Sequence, residues 1–248
     1  MTVSTNFWAC KKLNENQLRA LLMTNASAIA LGHETLKLEC RVRLQGTPGP
    51  NSVAESMAPL NLSWAFAAEG RLAEIENHPQ NAVKCYLDMV RLGYQSSRGG
   101  LIVDGLKGIV IESRGVDNLK TISGSLDAKS CAEIAKTLES LDSQRPSMST
   151  YVQQERIWER QNFPGLKNTI VVYLMHLPFT YAAEVQGKAT QTYAKQVSGI
   201  RHEMVEIAAQ AYSLDKGTHP KDVADLVPNY LKAVPKDPAT GANITLSP

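Results

Sequence analysis

Apolar residues recur at helical spacing through most of the chain, and polar or proline-rich breaks separate the runs. Asn14 is placed to cap a first helix, roughly Glu15–Leu38, in which Leu18, Leu21, Leu22, Ala26, Ile29 and Ala30 share the pattern. The Gly-Thr-Pro-Gly-Pro stretch within 45–51 reads as a loop. A second helix begins near Val53 or after Pro59 and carries Leu60, Leu62, Trp64, Ala67, Ala68 and Leu72. It stops before Asn77-His78-Pro79. Pro79 suits the first turn of a third helix with Ala82, Val83, Cys85, Tyr86, Met89, Val90 and Leu92 as its apolar positions. So short a turn requires the two helices to run antiparallel.

The stretch Gly99–Ser113 is apolar nearly all round as a helix, because Leu101, Ile102, Val103, Leu106, Ile109, Val110 and Ile111 cover most of its circumference. Such a helix is expected at the centre of the fold, buried on several sides. Gly105 and Gly108 would let another backbone approach it closely. A linking segment is expected after Gly115. Asp127 then caps a helix over Ala128–Leu141, with Cys131, Ile134, Ala135, Leu138 and Leu141 on one face. The reading is two successive helical hairpins, with Gly99–Ser113 in the second.

Beyond the Arg145-Pro146-Ser147 break, Tyr151–Arg160 reads as a helix with a polar face, and Asn162–Gly165 as a turn. Thr169–Ala183 is apolar and interrupted by Pro178. The last long helix spans about Thr192–Leu214, with Gly217 as its terminator. In the tail, Thr218 is expected to cap a short helix through Val227. Pro228, Pro235 and Pro238 brace an extended path, Asp237–Gly241 makes a turn, and Asn243–Leu246 reads as a strand. That strand pairs elsewhere or the chain has been truncated. The fold expectation is therefore all-α: antiparallel helical hairpins in a solenoid-like or bundle arrangement over residues 1–215, with a small irregular proline-braced C-terminal arm, 216–248, packing on it.

Composition narrows function mainly by exclusion. The 248 residues can bury a sizeable core. A net charge of +2 gives no reason to expect a nucleic-acid partner, and the 6% aromatic content argues against a base-stacking platform. Cys10, Cys40, Cys85 and Cys131 are dispersed without a Cys-x-x-Cys pair, so neither a zinc site nor a cofactor is expected. Cys85 and Cys131 read as buried free thiols, and Cys10 and Cys40 meet only if the chain folds back. No segment is suited to membrane insertion, and the N-terminus lacks the regions of a signal peptide. The protein is then either cytoplasmic or the soluble, extracytoplasmic part of an anchored chain.

Few residues suggest chemistry. His202-Glu203-x-x-Glu206 is a degenerate version of the helical zinc-protease pattern, with a carboxylate where the second histidine belongs, and a solvated pair is the simpler account. Ser96-Ser97-Arg98-Gly99-Gly100 places Arg98 and free amides at a helix start, where an anion can sit, although a tight turn also explains it. Asp142, Glu155 and Glu159 could face one another across a groove. Trp8, Trp158, Phe163, Phe179 and Tyr181 fall outside the strongest core patterns and are candidate contact residues. His33, His78 and His219 read as isolated.

Three resemblances add expectations. Gly70, Ala82 and Tyr86 have the spacing of the small residue, the alanine and the aromatic of a tetratricopeptide repeat, so the second and third helices resemble one such hairpin. Glu69 and Ala73 depart from it, standing where larger apolar residues are usual, and there is no second copy in register. Through Ala20-Leu21-Leu22-x-x-Asn25-Ala26, Cys40-Arg41-Val42 and Ala68–Leu72, the chain resembles a family of uncharacterised bacterial helical proteins. That resemblance implies an N-terminal anchor, which is missing from this sequence, and no activity. The segments Gly217–Pro220, Leu226–Leu231 and Val234–Pro238 resemble the C-terminal part of type II secretion major pseudopilins, without their calcium-binding acids. The functional expectation is a non-enzymatic scaffold offering a groove to a protein or peptide. The alternative is a hydrolase or ligand-binding protein with a site assembled from distant helices around His202, Glu206 and Arg98. A spacer without a ligand is the third reading.

Overall fold

The computed structural model describes residues 12–42, 44, 52–162, 165 and 181–246. The described residues form seven α-helices and one short 3-10 helix, with no strand among them: α1 Glu15–Thr35, α2 Ser52–Ile75, α3 Pro79–Ser97, α4 Ile102–Ser123, α5 Ala128–Ser143, α6 Met148–Asn162, α7 Tyr181–Lys216 and the 3-10 turn Val223–Leu226. The fold is all-α. No helix among the described residues is long and apolar enough to cross a membrane.

Local chemistry sets several helix ends. The Asn14 side chain accepts from the Gln17 amide at 3.0 Å, and Gln17 Oε1 accepts in return from the Asn14 amide at 2.9 Å. Each satisfies a donor that the first turn leaves without a partner. Asp127 Oδ1 accepts from the Ser130 amide at 2.7 Å and starts α5. Pro79 opens α3, and Gly217, at φ 69°, closes α7. Helix α2 begins at Ser52 and continues through Pro59.

Helix α4 differs from the expectation in two ways. It runs past Gly115 to Ser123, so the expected linker is helical. Gly115 is there for closeness, since a Cβ on it would stand 2.8 Å from Val90 Cγ2 and 3.0 Å from the Tyr86 carbonyl oxygen. Its first turn is also less buried than an apolar circumference suggested, with Val103 55% exposed. From Ile109 onward it is central. Ile109, Ile111, Val116 and Leu119 are buried between α3 on one side and α7 on the other.

The pairing also differs. Helices α2 and α3 pack as a hairpin, and so do α3 and α4. Helix α5 turns away from α4 and lies against α7, which packs on both. The second hairpin of the sequence reading is thus opened by a helix from much later in the chain. A buried ion network closes the junction: Arg145 lies 2.6 Å from Glu112 on α4 and 3.0 Å from Asp142 on α5, and Arg201 on α7 lies 2.8 Å from Asp142.

The C-terminal segment lies on α5 and α7. Leu226, Leu231 and Ile244 join the core. Glu139 on α5 accepts from the backbone amides of Lys232 and Ala233 at 2.8 and 3.2 Å. The short helix is capped by Asp222 rather than Thr218. Asp237 turns the chain by accepting from the Ala239 and Thr240 amides, and Gly241 follows at φ 73°. The expected strand is reduced to one antiparallel bridge, Lys236 with Asn243.

Candidate functional site

Helix α1 packs on α2 alone to any extent, and the geometry of that contact builds a cleft. Gly32 draws the two helices together, because a Cβ on it would lie 2.8 Å from Leu62 Cδ1. Leu18 and Ile29 seat on α2, whereas Met23, Ala26 and Ala30 of the same helix remain exposed. The result is a cleft of about 590 Å³ between α1 and α3 with α2 as its floor. Leu22, Ile29, Leu72 and Ala73 give it apolar walls, and Glu76 and Lys84 lie along it.

Five polar side chains, His33, Glu69, Cys85, Asp88 and Arg91, converge at the His33 end. The close α1–α2 approach stacks the His33 ring on Phe66, with centroids 4.3 Å apart and planes at 20°. The ring's Nδ1 then meets Asp88 Oδ2 of α3 at 2.7 Å, and Nε2 meets Glu69 Oε2 of α2 at 2.8 Å. Arg91 holds the other Asp88 oxygen at 2.8 Å. Cys85 Sγ donates weakly to Glu69 Oε2 at 3.9 Å. Carboxylates only accept, so both ring nitrogens carry protons in this arrangement, or one acid does. Burial, with Glu69 and Asp88 nearby, pushes the Cys85 thiol up to about 12. In this environment it is a thiol at neutral pH and not a nucleophile. His33, Glu69 and Cys85 offer nitrogen, oxygen and sulfur donors that all lie within 4.8 Å of one another.

The residues singled out from the sequence lie elsewhere. His202 and Glu206 are half-buried on α7, where Glu206 meets Lys120 of α4 at 3.3 Å. Arg98, after α3, places its guanidinium 5.6 Å from the Tyr94 ring centre. Helices α3 and α7 share no extensive contact, and these residues turn to different neighbours: Glu206 to Lys120, and Arg98 to Tyr94. The start of α4 is used internally: Asp104 accepts from the Leu101 amide at 3.0 Å, and Glu155 accepts from the Ile102 amide at 3.1 Å. Asp142 belongs to the ion network with Arg145 and Arg201, whereas Glu155 holds the start of α4. Trp158 is half-buried on α6. Trp8, Cys10, Phe163 and Phe179 lie outside the described residues, as does the side chain of Tyr181. Cys40, Cys85 and Cys131 are free thiols.

The class defined by fold and site is an all-α protein of packed helical pairs with an open, partly apolar cleft along its first three helices. No family model matches the chain, and neither a curated protein nor a solved structure matches it significantly.

Proposed function

We propose that this protein is a helical scaffold whose α1–α2–α3 cleft receives a segment of another protein. One observation carries the reading: α1 turns Met23, 79% exposed, together with Ala26 and Ala30, toward an open cleft that no other described helix covers. An apolar lip beside a shallow apolar floor suits a short apolar segment of a peptide. Charged groups along the cleft, Glu69, Glu76 and Lys84, supply polar contacts that orient such a segment. The α2–α3 pair supports the tetratricopeptide-like reading locally, because Gly70 leaves room for the Tyr86 ring on α2 and the Tyr86 hydroxyl donates to Glu74. The reading is non-enzymatic. Among the described residues that line the cleft, burial holds the Cys85 thiol protonated, and His202, Glu206 and Arg98 of the hydrolase alternative lie outside that lining.

The test is a photo-crosslinking amino acid placed at Met23 and, as a control, at Leu214, another exposed apolar position but on α7. A polypeptide adduct of defined mass formed from position 23, absent from position 214 and lost when Ala30→Arg is added, is the expected result. No adduct, or the same adducts from both positions, refutes the reading.

A further inference from the structure

We propose that His33, Glu69 and Cys85 together bind a divalent transition-metal ion of the zinc class at the end of the α1–α3 cleft. The donor set is the first argument. Imidazole nitrogen, thiolate sulfur and carboxylate oxygen are the three protein donors zinc uses, and three of them leave a fourth position open. Here one donor comes from each of three helices, so the packing that forms the cleft also brings the donors together. All three donor atoms fall within 4.8 Å of one another. A tetrahedral site needs neighbouring donors separated by roughly 3.3–3.6 Å, from zinc–ligand distances near 2.0–2.3 Å. Nε2 and Glu69 Oε2, at 2.8 Å, must therefore part slightly, while the sulfur closes in. Glu69 is the long, half-exposed member of the set and can make that adjustment.

The second argument is the support behind the donors. A histidine that ligates a metal through Nε2 usually gives its Nδ1 proton to a carboxylate, which fixes the tautomer and the ring plane. Asp88 stands in that place at 2.7 Å and is itself held by Arg91, and Phe66 stacks beneath the ring. An ion pair alone would need only one carboxylate on His33. The second carboxylate faces the other ring nitrogen, with a thiol against the same oxygen, and this arrangement places donors around one point. On binding, the ion takes the place of the proton between Nε2 and Glu69, and that proton and the Cys85 thiol proton both pass to solvent. The open fourth position faces the cleft, where the ion holds water or a donor atom from an occupant. This site does not depend on the cleft receiving a peptide.

The test uses the full chain, stripped with chelator and then titrated separately with zinc and with cobalt(II). The expected result is one equivalent bound per chain. The cobalt form should show visible d–d bands of a low-symmetry four-coordinate ion and a thiolate-to-metal charge-transfer band in the near ultraviolet. Cys85→Ser should abolish the charge-transfer band, and His33→Ala should weaken zinc binding at least ten-fold. Asp88→Asn should weaken it by about 10–100-fold while keeping the cobalt spectrum, the behaviour of an outer-shell carboxylate. His202→Ala should bind as the parent does. Circular dichroism of each variant establishes that it is folded, and Cys85→Ser, the smallest change, stands as the test if His33→Ala does not fold. No stoichiometric uptake, a cobalt form without the thiolate band, or uptake unchanged in both Cys85→Ser and His33→Ala overturns the proposal.

Discussion

Substituting Gly108 by alanine tests whether α3 and α4 cross as closely as their packing requires. A Cβ on Gly108 would stand 2.5 Å from the Gly93 carbonyl oxygen and 2.6 Å from Ser97 Cβ, and a Cβ on Gly93 would stand 2.5 Å from the Gly108 oxygen. Ordinary contact begins near 3.4 Å, so the helices must separate by about 0.9 Å at that point. The obstruction is backbone, which cannot rotate aside as a side chain does. Separation also loosens the rest of the seam, where Gly115 lies against Val90 and Met89. Overpacking of this kind costs about 1–3 kcal/mol, and the greater helix propensity of alanine offsets about 1 kcal/mol. With the upper part of that range expected for a backbone obstruction, the net loss is about 1–2 kcal/mol. For a chain of this size that lowers Tm by about 2–8 °C. The matched control is Gly199→Ala on the exposed side of α7, where nothing lies within 4 Å of the new Cβ. Only the propensity gain operates there, and Tm should rise by about 2–4 °C. The assay is thermal unfolding of both variants followed by circular dichroism. If Gly108→Ala raises Tm as Gly199→Ala does, the close crossing is refuted, and with it the central place of α4.

Other perturbations probe the polar contacts that join the elements. Arg145→Met leaves the Glu112 carboxylate buried without its cation and should cost about 3–5 kcal/mol in urea unfolding, with part of the loss recovered by adding Glu112→Gln. Burial holds the Glu112 carboxyl above its ordinary value even beside Arg145. A folded-state value above the unfolded one favours folding at low pH, so the Arg145→Met deficit should be smallest below about pH 4.3 and should grow as pH rises. Asp237 is the opposite case: the Ser198 hydroxyl, then the Thr240 and Ala239 amides, hold its carboxyl down to about 2. Its contribution is present above the unfolded value near 3.9 and is lost as pH falls through about 2. Asp237→Asn should therefore speed amide exchange at Thr240 and Gly241 near pH 6, and the difference from the parent should shrink near pH 2.5. Glu139→Ala should release the Lys232 and Ala233 amides and speed tryptic cleavage after Lys232 and Lys236, with little change in Tm.

Some helix starts and stops were readable from the sequence because their causes are local, whereas α7 begins at Tyr181, eleven residues before the expected Thr192, and α6 at Met148 instead of Tyr151. Asn14 with Gln17, Asp127 with Ser130, Pro79 and Gly217 each act within a few residues of the boundary they set. The end of α4 was misread because Gly115 serves a tertiary purpose. Glycine there removes a side chain between helices and has no need to stop one. The pairing of α5 with α7 rests on Arg145, Asp142 and Arg201, and a charged residue in a sequence does not declare a partner 59 positions away. The cleft cluster was hidden for the same reason, since His33 meets Glu69 across 36 positions and Asp88 across 55. Two signals pointed toward it. Glu69 stands among the buried residues Ala67, Ala68 and Gly70 of α2, and Asp88 interrupts the buried face of α3 between Cys85 and Met89. Each is a polar group set into an apolar pattern, which needs a partner to be tolerated.

The two uses proposed for the cleft can be separated because small residues hold part of it open. Ala26 and Ala30 are exposed, and both line the cleft. Neither is needed for the α1–α2 contact, which Leu18, Ile29 and Gly32 make. Ala26→Leu should fill space over the apolar floor at little cost to stability, because leucine is nearly as good a helix former as alanine and the site is not packed. Residue 26 lies two turns, about 10 Å, from His33 along α1. The variant should therefore lose the crosslink formed from position 23 and keep metal uptake unchanged. The converse variant, Cys85→Ser, removes a donor buried at the far end and should leave that crosslink in place. If Ala26→Leu leaves crosslinking intact, the peptide path does not run over this floor. If it abolishes metal uptake as well, then α1 shifts as a unit, and neither function can be assigned to a separate part of the cleft.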